Sequence, residues 1–193
     1  MYQFLIIAYL FTSPGHLEAA AGGRRAADYI DDMDILIIDS GSTTEYLAEN
    51  LPQNRSLTVM GFSLNIIGRT AKMERVESVI TGGLFHQNTL MFESREGLAL
   101  IQRYRATKAF ISAAGVSLDL GVTCRNAYER ETKMAAIESS ARRILLADSS
   151  KFGVIRSEYF ADIEQFDMII TDAGLDEAVY AKLEEHCIEV VLV

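Results

Sequence analysis

From Ile35 to the C-terminus the chain repeats one pattern: a short run of branched apolar residues, a turn rich in Gly and Ser, then apolar residues at helical spacing. ILIID (35–39) passes through Ser40, Gly41 and Ser42 into TTEYLAENL (43–51), and SLTVM (56–60) passes through Gly61 into SLNIIGRTAKM (63–73). VESVI (76–80) ends at Thr81, Gly82 and Gly83, and TKAFISAA (107–114) ends at Gly115. RRILLA (142–147), FDMII (166–170) and CIEVVLV (187–193) are further strands, while 93–104, 129–141 and 175–186 read as helices. The strands are unbroken apolar runs, the signature of strands covered on both faces. The expectation is one α/β domain, a Rossmann-like, mostly parallel sheet with helices on both faces. TLMF (89–92) and DLGVT (119–123) predict a small antiparallel excursion near 84–92 or 116–126.

The charge balance argues against one class of function for this body. Eighteen Lys and Arg against 27 Asp and Glu leave a net charge of −9, and in residues 1–30 Arg24 and Arg25 cancel Glu18 and Asp28. Such a body gives no electrostatic warrant for gripping a phosphate backbone, although one local basic patch is compatible with the same balance. Cys124 and Cys187 lack paired spacing, and His16, His86 and His186 have no ligand rhythm, so no metal, no cofactor and a reducing, cytoplasmic setting are expected. The opening MYQFLIIAYLF is eleven residues long, too short to span a bilayer, and no membrane association is expected. It reads as a buried strand or helix piece, a frayed start or a targeting signal, and residues 1–23 are set apart from a body of 24–193.

The sharpest local feature is Asp39-Ser40-Gly41-Ser42-Thr43-Thr44-Glu45 at a strand end. Ser42 followed three residues later by Glu45 spells a capping box, which starts a helix at Ser42 and leaves the amides of Thr43, Thr44 and Glu45 free. Amides and hydroxyls at the positive end of a helix can hold a phosphate or carboxylate, though an ordinary capped helix has the same spelling. Asp39 suits a sugar hydroxyl or neighbouring amides better than an anion. Gly61-Phe62-Ser63 and Thr81-Gly82-Gly83 fall at the same phase, and parallel strand ends converge on one ligand-binding edge. Ala147 to Gly153 adds the hydroxyls of Ser149 and Ser150 and the charge of Lys151. Glu129 and Lys133 are four apart on a helix, either a supporting ion pair or a carboxylate and an ammonium facing a polyol, with Tyr128 packing a sugar face.

In their order, IIDSGSTTEYLAENL, LTVMGFSLNII, VITGGLF, TKAFISAAGVSLDLGVT, AYERETKMAAIESSARRILLADSSKFG and FDMIITDAGL resemble the sensor domain of the DeoR family of bacterial transcriptional repressors, over residues 24–193. The resemblance implies a sheet related to ribose-5-phosphate isomerase and glucosamine-6-phosphate deaminase, used to sense a phosphorylated sugar whose binding relieves repression of sugar-catabolic genes. It matches Ser40 to Thr44 to the phosphate-facing loop, Gly82 and Gly83 to the second glycine turn, and Lys133 and Lys151 to conserved lysines. Two departures stand out: Gly61, Phe62 and Ser63 replace a Thr-Asn-Ser, with Phe62 narrowing the pocket or stacking on the ligand, and Met33 replaces a glycine. No basic winged helix-turn-helix is present, so DNA binding is expected only through such a module. The alternative function is a sugar-phosphate isomerase or deaminase, which needs a poised acid/base pair. Apolar Phe4 to Phe11 and Val190 to Val193 predict a homo-oligomer, at least a dimer.

Overall fold

The computed structural model describes residues 14–193 in backbone and side chains from Leu17 onward; Phe4 to Phe11 lie outside the described residues. The elements run α1 (Pro14–Ala27), β1 (Ile35–Ile38), α2 (Ser42–Glu49), β2 (Leu57–Gly61), α3 (Leu64–Thr70), β3 (Val76–Ile80), β4 (Leu84–His86), β5 (Met91–Glu93) and α4 (Arg95–Arg103). They continue with β6 (Ala106–Ser112), β7 (Gly115–Ser117), β8 (Gly121–Cys124), α5 (Ala127–Glu138), β9 (Ser140–Leu146), β10 (Glu158–Ala161), β11 (Met168–Thr171), α6 (Glu177–Glu185) and β12 (Glu189–Leu192). Seven strands form one sheet in the order β12-β11-β9-β6-β1-β2-β3, parallel at every pairing. These are the seven apolar runs. One antiparallel excursion was expected at either of two places, and antiparallel pairing forms at both: a β4-β5 hairpin, and a β7-β8 pair that the unanticipated β10 extends to a three-stranded sheet.

Strand periodicity splits the core between the two faces of the sheet. Leu36, Ile38, Phe110, Ile144, Leu146 and Ile170 pack with Ala26, Leu47, Ala48 and Ile66 from α1, α2 and α3. Ile37, Ile111, Leu145 and Ile169 turn the other way, toward Ile101, Ala135, Ala136 and Leu183 of α4, α5 and α6. Because both faces are covered, the strands carry continuous branched residues and need no alternating polar ones. The apolar C-terminal tail is used here as well: Val190 and Val191 pack against the two cores as β12 joins β11.

Helix α1 was not legible, since its Gly22-Gly23 pair reads as a turn and costs helix propensity. The structure gives Gly23 a reason. A Cβ there would lie 2.5 Å from Tyr46 Cβ, 2.6 Å from Thr43 O and 2.7 Å from Leu47 N, so only glycine lets the backbones of α1 and α2 approach this closely. The helix runs on through residue 23 without a break.

Met33 occupies the left-handed region at φ 65 and is 72% exposed, while its amide donates to Ser56 O at 2.8 Å. A non-glycine residue there carries steric cost without compensating burial. Met33→Gly is expected to stabilise the chain by about 0.5–1 kcal/mol, after the entropy glycine adds to the unfolded state. A higher urea midpoint at unchanged slope would register it; an unchanged or lower midpoint would refute the strain.

Candidate functional site

A cleft of about 670 Å³ opens at the C-terminal edge of the sheet. Its lining includes the turn Ser40, Gly41 and Ser42 after β1, and Ser112 at the end of β6 with Ala113 and Ala114 beyond it. Asn65 of α3, the hairpin loop Asn88, Thr89 and Leu90, and Lys151 after β9 line it as well. The approach to α5 closes it with Arg125, Asn126, Glu129 and Lys133. Parallel strands place all these loops on one edge, which is why segments over a hundred residues apart meet there.

At the centre is a buried network. Asp39 is fully buried, and its Oδ2 accepts from the Ser112 amide at 2.8 Å and from Lys133 Nζ. Lys133, 1% exposed, also donates to Ser112 O at 2.9 Å. Ser112 Oγ lies 2.7 Å from Asp39 Oδ2 and 2.6 Å from Ser40 O, tying the network to the turn. Asp39 Oδ1 has no partner among the described residues. The Lys133 and Glu129 side chains therefore do not form the i,i+4 pair that their spacing allows: Lys133 is spent on Asp39, and Glu129 accepts from Asn126 Nδ2.

The capping box is not formed. Gly41, at φ 151, is the N-cap and offers no side chain, while the Glu45 carboxylate goes to Asn65 Nδ2 at 3.2 Å and Arg69 Nη2 at 3.0 Å. Glu45 N donates to Gly41 O at 3.0 Å, so the unsatisfied amides are those of Ser42, Thr43 and Thr44. They open at the turn that lines the cleft. Lys151 Nζ is 2.7 Å from Asp148 Oδ2 and 3.0 Å from Ser150 Oγ. The guanidinium of Arg125 is exposed and has no partner among the described residues.

Of the residues anticipated from sequence, the structure brings Ser40, Gly41, Ser42, Glu129, Lys133 and Lys151 together in the cleft. Asp39 lies immediately behind them. Thr43 contributes its amide, but its side chain turns toward Gly22 of α1, and Thr44 is buried with Oγ1 donating to Gly41 O at 3.0 Å. Phe62 neither narrows the cleft nor stacks in it: the ring is 0% exposed in the core, and Ser63 is buried beside it. Gly82 and Gly83 are also outside the cleft, at the base of the hairpin, where Ser94 Oγ donates to Gly82 O at 3.2 Å. Tyr128 holds the hairpin instead of a sugar face. Its ring stacks on His86 at 3.7 Å, and its hydroxyl donates to Asn88 Oδ1 at 3.1 Å and accepts from Thr89 Oγ1 at 3.2 Å.

Asn65, Asn88, Thr89, Ser112, Arg125 and Asn126 line the cleft without having been anticipated from sequence. Ser112 had a usable signal, the same strand-end phase as Gly41. Asn88 and Thr89 had none, because they reach the cleft only through the fold of the hairpin. Cys124 is buried nearby, and burial pushes its thiol up to about 11, which leaves it an unreactive packing residue.

The family profile described as the DeoR C-terminal sensor domain matches residues 18–173. The chain belongs to that family. It is 31% identical over 167 residues to the HTH-type transcriptional regulator IolR of Bacillus subtilis (strain 168), covering 86% of this chain and 66% of that one. It is 28% identical over 155 residues to the deoxyribose operon repressor of Escherichia coli (strain K12), covering 80% of this chain and 62% of that one. The chain thus spans about two thirds of the length of the curated relatives it matches. Ribose 5-phosphate isomerase A from Neisseria gonorrhoeae shares the fold, with a TM-score of 0.53 at 15% identity over 73% of this chain and 55% of that one. Among the described residues, no helix is long and apolar enough to cross a membrane.

Proposed function

We propose that the cleft of this DeoR-family sensor domain binds the phosphate and hydroxyls of a phosphorylated sugar, as the effector site of a transcriptional repressor of sugar catabolism. The observation that carries the reading is the meeting of Lys151 and the free amides of Ser42 to Thr44 with the polar side chains of Asn65, Asn88, Asn126 and Glu129 around one cleft. A helix N-terminus supplies fixed donors for the phosphate, and Lys151 and Arg125 supply charge. DNA contact, in this reading, belongs to a winged helix-turn-helix outside these 193 residues, and the regulator acts as a symmetric oligomer, at least a dimer.

Binding is favoured over catalysis by what the ionisable groups are doing. Asp39 Oδ2 is held by Lys133 and Ser112, Glu45 is committed to Arg69 and Asn65, and Glu129 accepts from Asn126, so among the described residues every carboxylate at the cleft is already engaged and none is paired with a free base across it. Calorimetry with ribose 5-phosphate, deoxyribose 5-phosphate and glucosamine 6-phosphate, each beside its unphosphorylated sugar, tests the reading. At least one ester is expected to bind while its parent sugar does not, with no aldose-to-ketose conversion. Lys151→Ala should weaken the best ester by about 1.5 kcal/mol, the low end for a charge-assisted contact, because Asp148 already shares the ammonium. Equal binding of ester and parent sugar would refute the phosphate site, and turnover would revive the isomerase reading.

A further inference from the structure

Lys151 stands between the cleft and a second charged group. Behind it, Asp148 belongs to a set of three carboxylates with Glu18 and Asp172, each offering an oxygen within 4.8 Å of the others. They come from three elements: Glu18 from the N-terminal part of α1, Asp148 from the loop after β9, and Asp172 from the end of β11. Among the described residues Lys151 is the one cation in an ion pair with any of them. The charges feel one another: burial raises the Glu18 carboxyl above its ordinary value, Asp172 and Asp148 raise it further, and Lys151 pulls it back. Asp172 is an anion despite partial burial, which would raise it, because the Ser149 amide and hydroxyl and the Gly174 amide outweigh that and hold it low.

We propose that Lys151 is a relay between the effector cleft and α1. An anion in the cleft draws Nζ away from Asp148, and three carboxylates within 4.8 Å lose their counter-charge. Glu18 is the member on a separate helix, so the repulsion is relieved by loosening the N-terminal turns of α1 from the sheet edge. α1 is the first element of the described domain, and any module N-terminal to it is reached through that helix. The relay rests on the anion-binding reading of the cleft. By linkage, whatever the anion does to α1 must return as a change in anion affinity when Glu18 is altered.

Hydrogen exchange of the α1 amides in the whole chain, in chelator-treated low-salt buffer, tests the relay. Without ligand, Lys151→Ala should exchange about tenfold faster over residues 18–22 while β1 and β6 are unchanged, and adding Glu18→Gln should restore the slow rate. With saturating inorganic phosphate, the wild type should accelerate at the same amides and Glu18→Gln should not, while Glu18→Gln binds phosphate several-fold more tightly by calorimetry. Unchanged α1 exchange in Lys151→Ala, or the same phosphate response with and without Glu18, would overturn the relay. Calorimetry showing no phosphate or sugar-phosphate binding to the wild type would instead overturn the cleft reading, and the ligand-free comparison would still decide whether Lys151 restrains α1.

Discussion

Lys133→Met is expected to lower stability by about 3–5 kcal/mol, the usual cost of leaving one partner of a buried ion pair behind. Asp39 would stay fully buried with its Oδ2 bonded to Ser112 and its Oδ1 already without a partner. Among the described residues no other cation is paired with it. For a chain of this size the loss corresponds to a fall in Tm of roughly 10 °C. The informative comparison is Asp39→Asn with Lys133→Met, which removes both charges and should recover most of the loss, since an amide can still accept from the Ser112 amide. Urea denaturation of the two single variants and the double variant measures the coupling. A double variant as unstable as the sum of the singles would mean that the pair is not the energetic unit the geometry indicates.

Gly41→Val is the second large effect, and it acts on the cleft and on stability together. At φ 151 and ψ 167 Gly41 sits in a backbone region that side chains rarely adopt, at a cost of about 1–3 kcal/mol. A Cβ there would also lie 3.1 Å from Ser112 Oγ and 3.2 Å from Ser112 Cβ, pressing on the hydroxyl that links Asp39 to the turn. The expected result is a loss of about 2–3 kcal/mol together with a fall of more than about tenfold in phosphate or sugar-phosphate affinity, as the Ser42–Thr44 amides shift. Calorimetry at a temperature where the variant is still folded separates the two. A folded variant with wild-type affinity would remove this turn from the anion site.

Seven apolar runs sufficed to anticipate seven parallel strands, because a strand buried on both faces must be apolar along its whole length. An antiparallel excursion near 84–92 or 116–126 was legible for a related reason: short apolar pieces between Gly-rich turns cannot make a crossover. Helix α1 was hidden by Gly22 and Gly23, whose purpose is a close approach to residues of α2 that local propensity cannot reveal. The capping box failed on a similar competition. Glu45 had a better partner in Arg69, which is brought near by the packing of α3 on α2.

Local patterns in the sequence determined the α/β architecture, the strand ends and the Gly41 turn that starts a helix with free amides, all of which depend on periodicity and turn chemistry within a few residues. The tertiary structure decided which of the marked residues share one cleft. It sent Phe62 into the core and Gly82, Gly83 and Tyr128 to the hairpin, bound Lys133 to Asp39, and brought in Asn65, Asn88 and Arg125. The physical reason is that a side chain's partner is whatever the sheet order and hairpin place within hydrogen-bonding reach, and spacing along the chain carries no information about neighbours contributed by other strands.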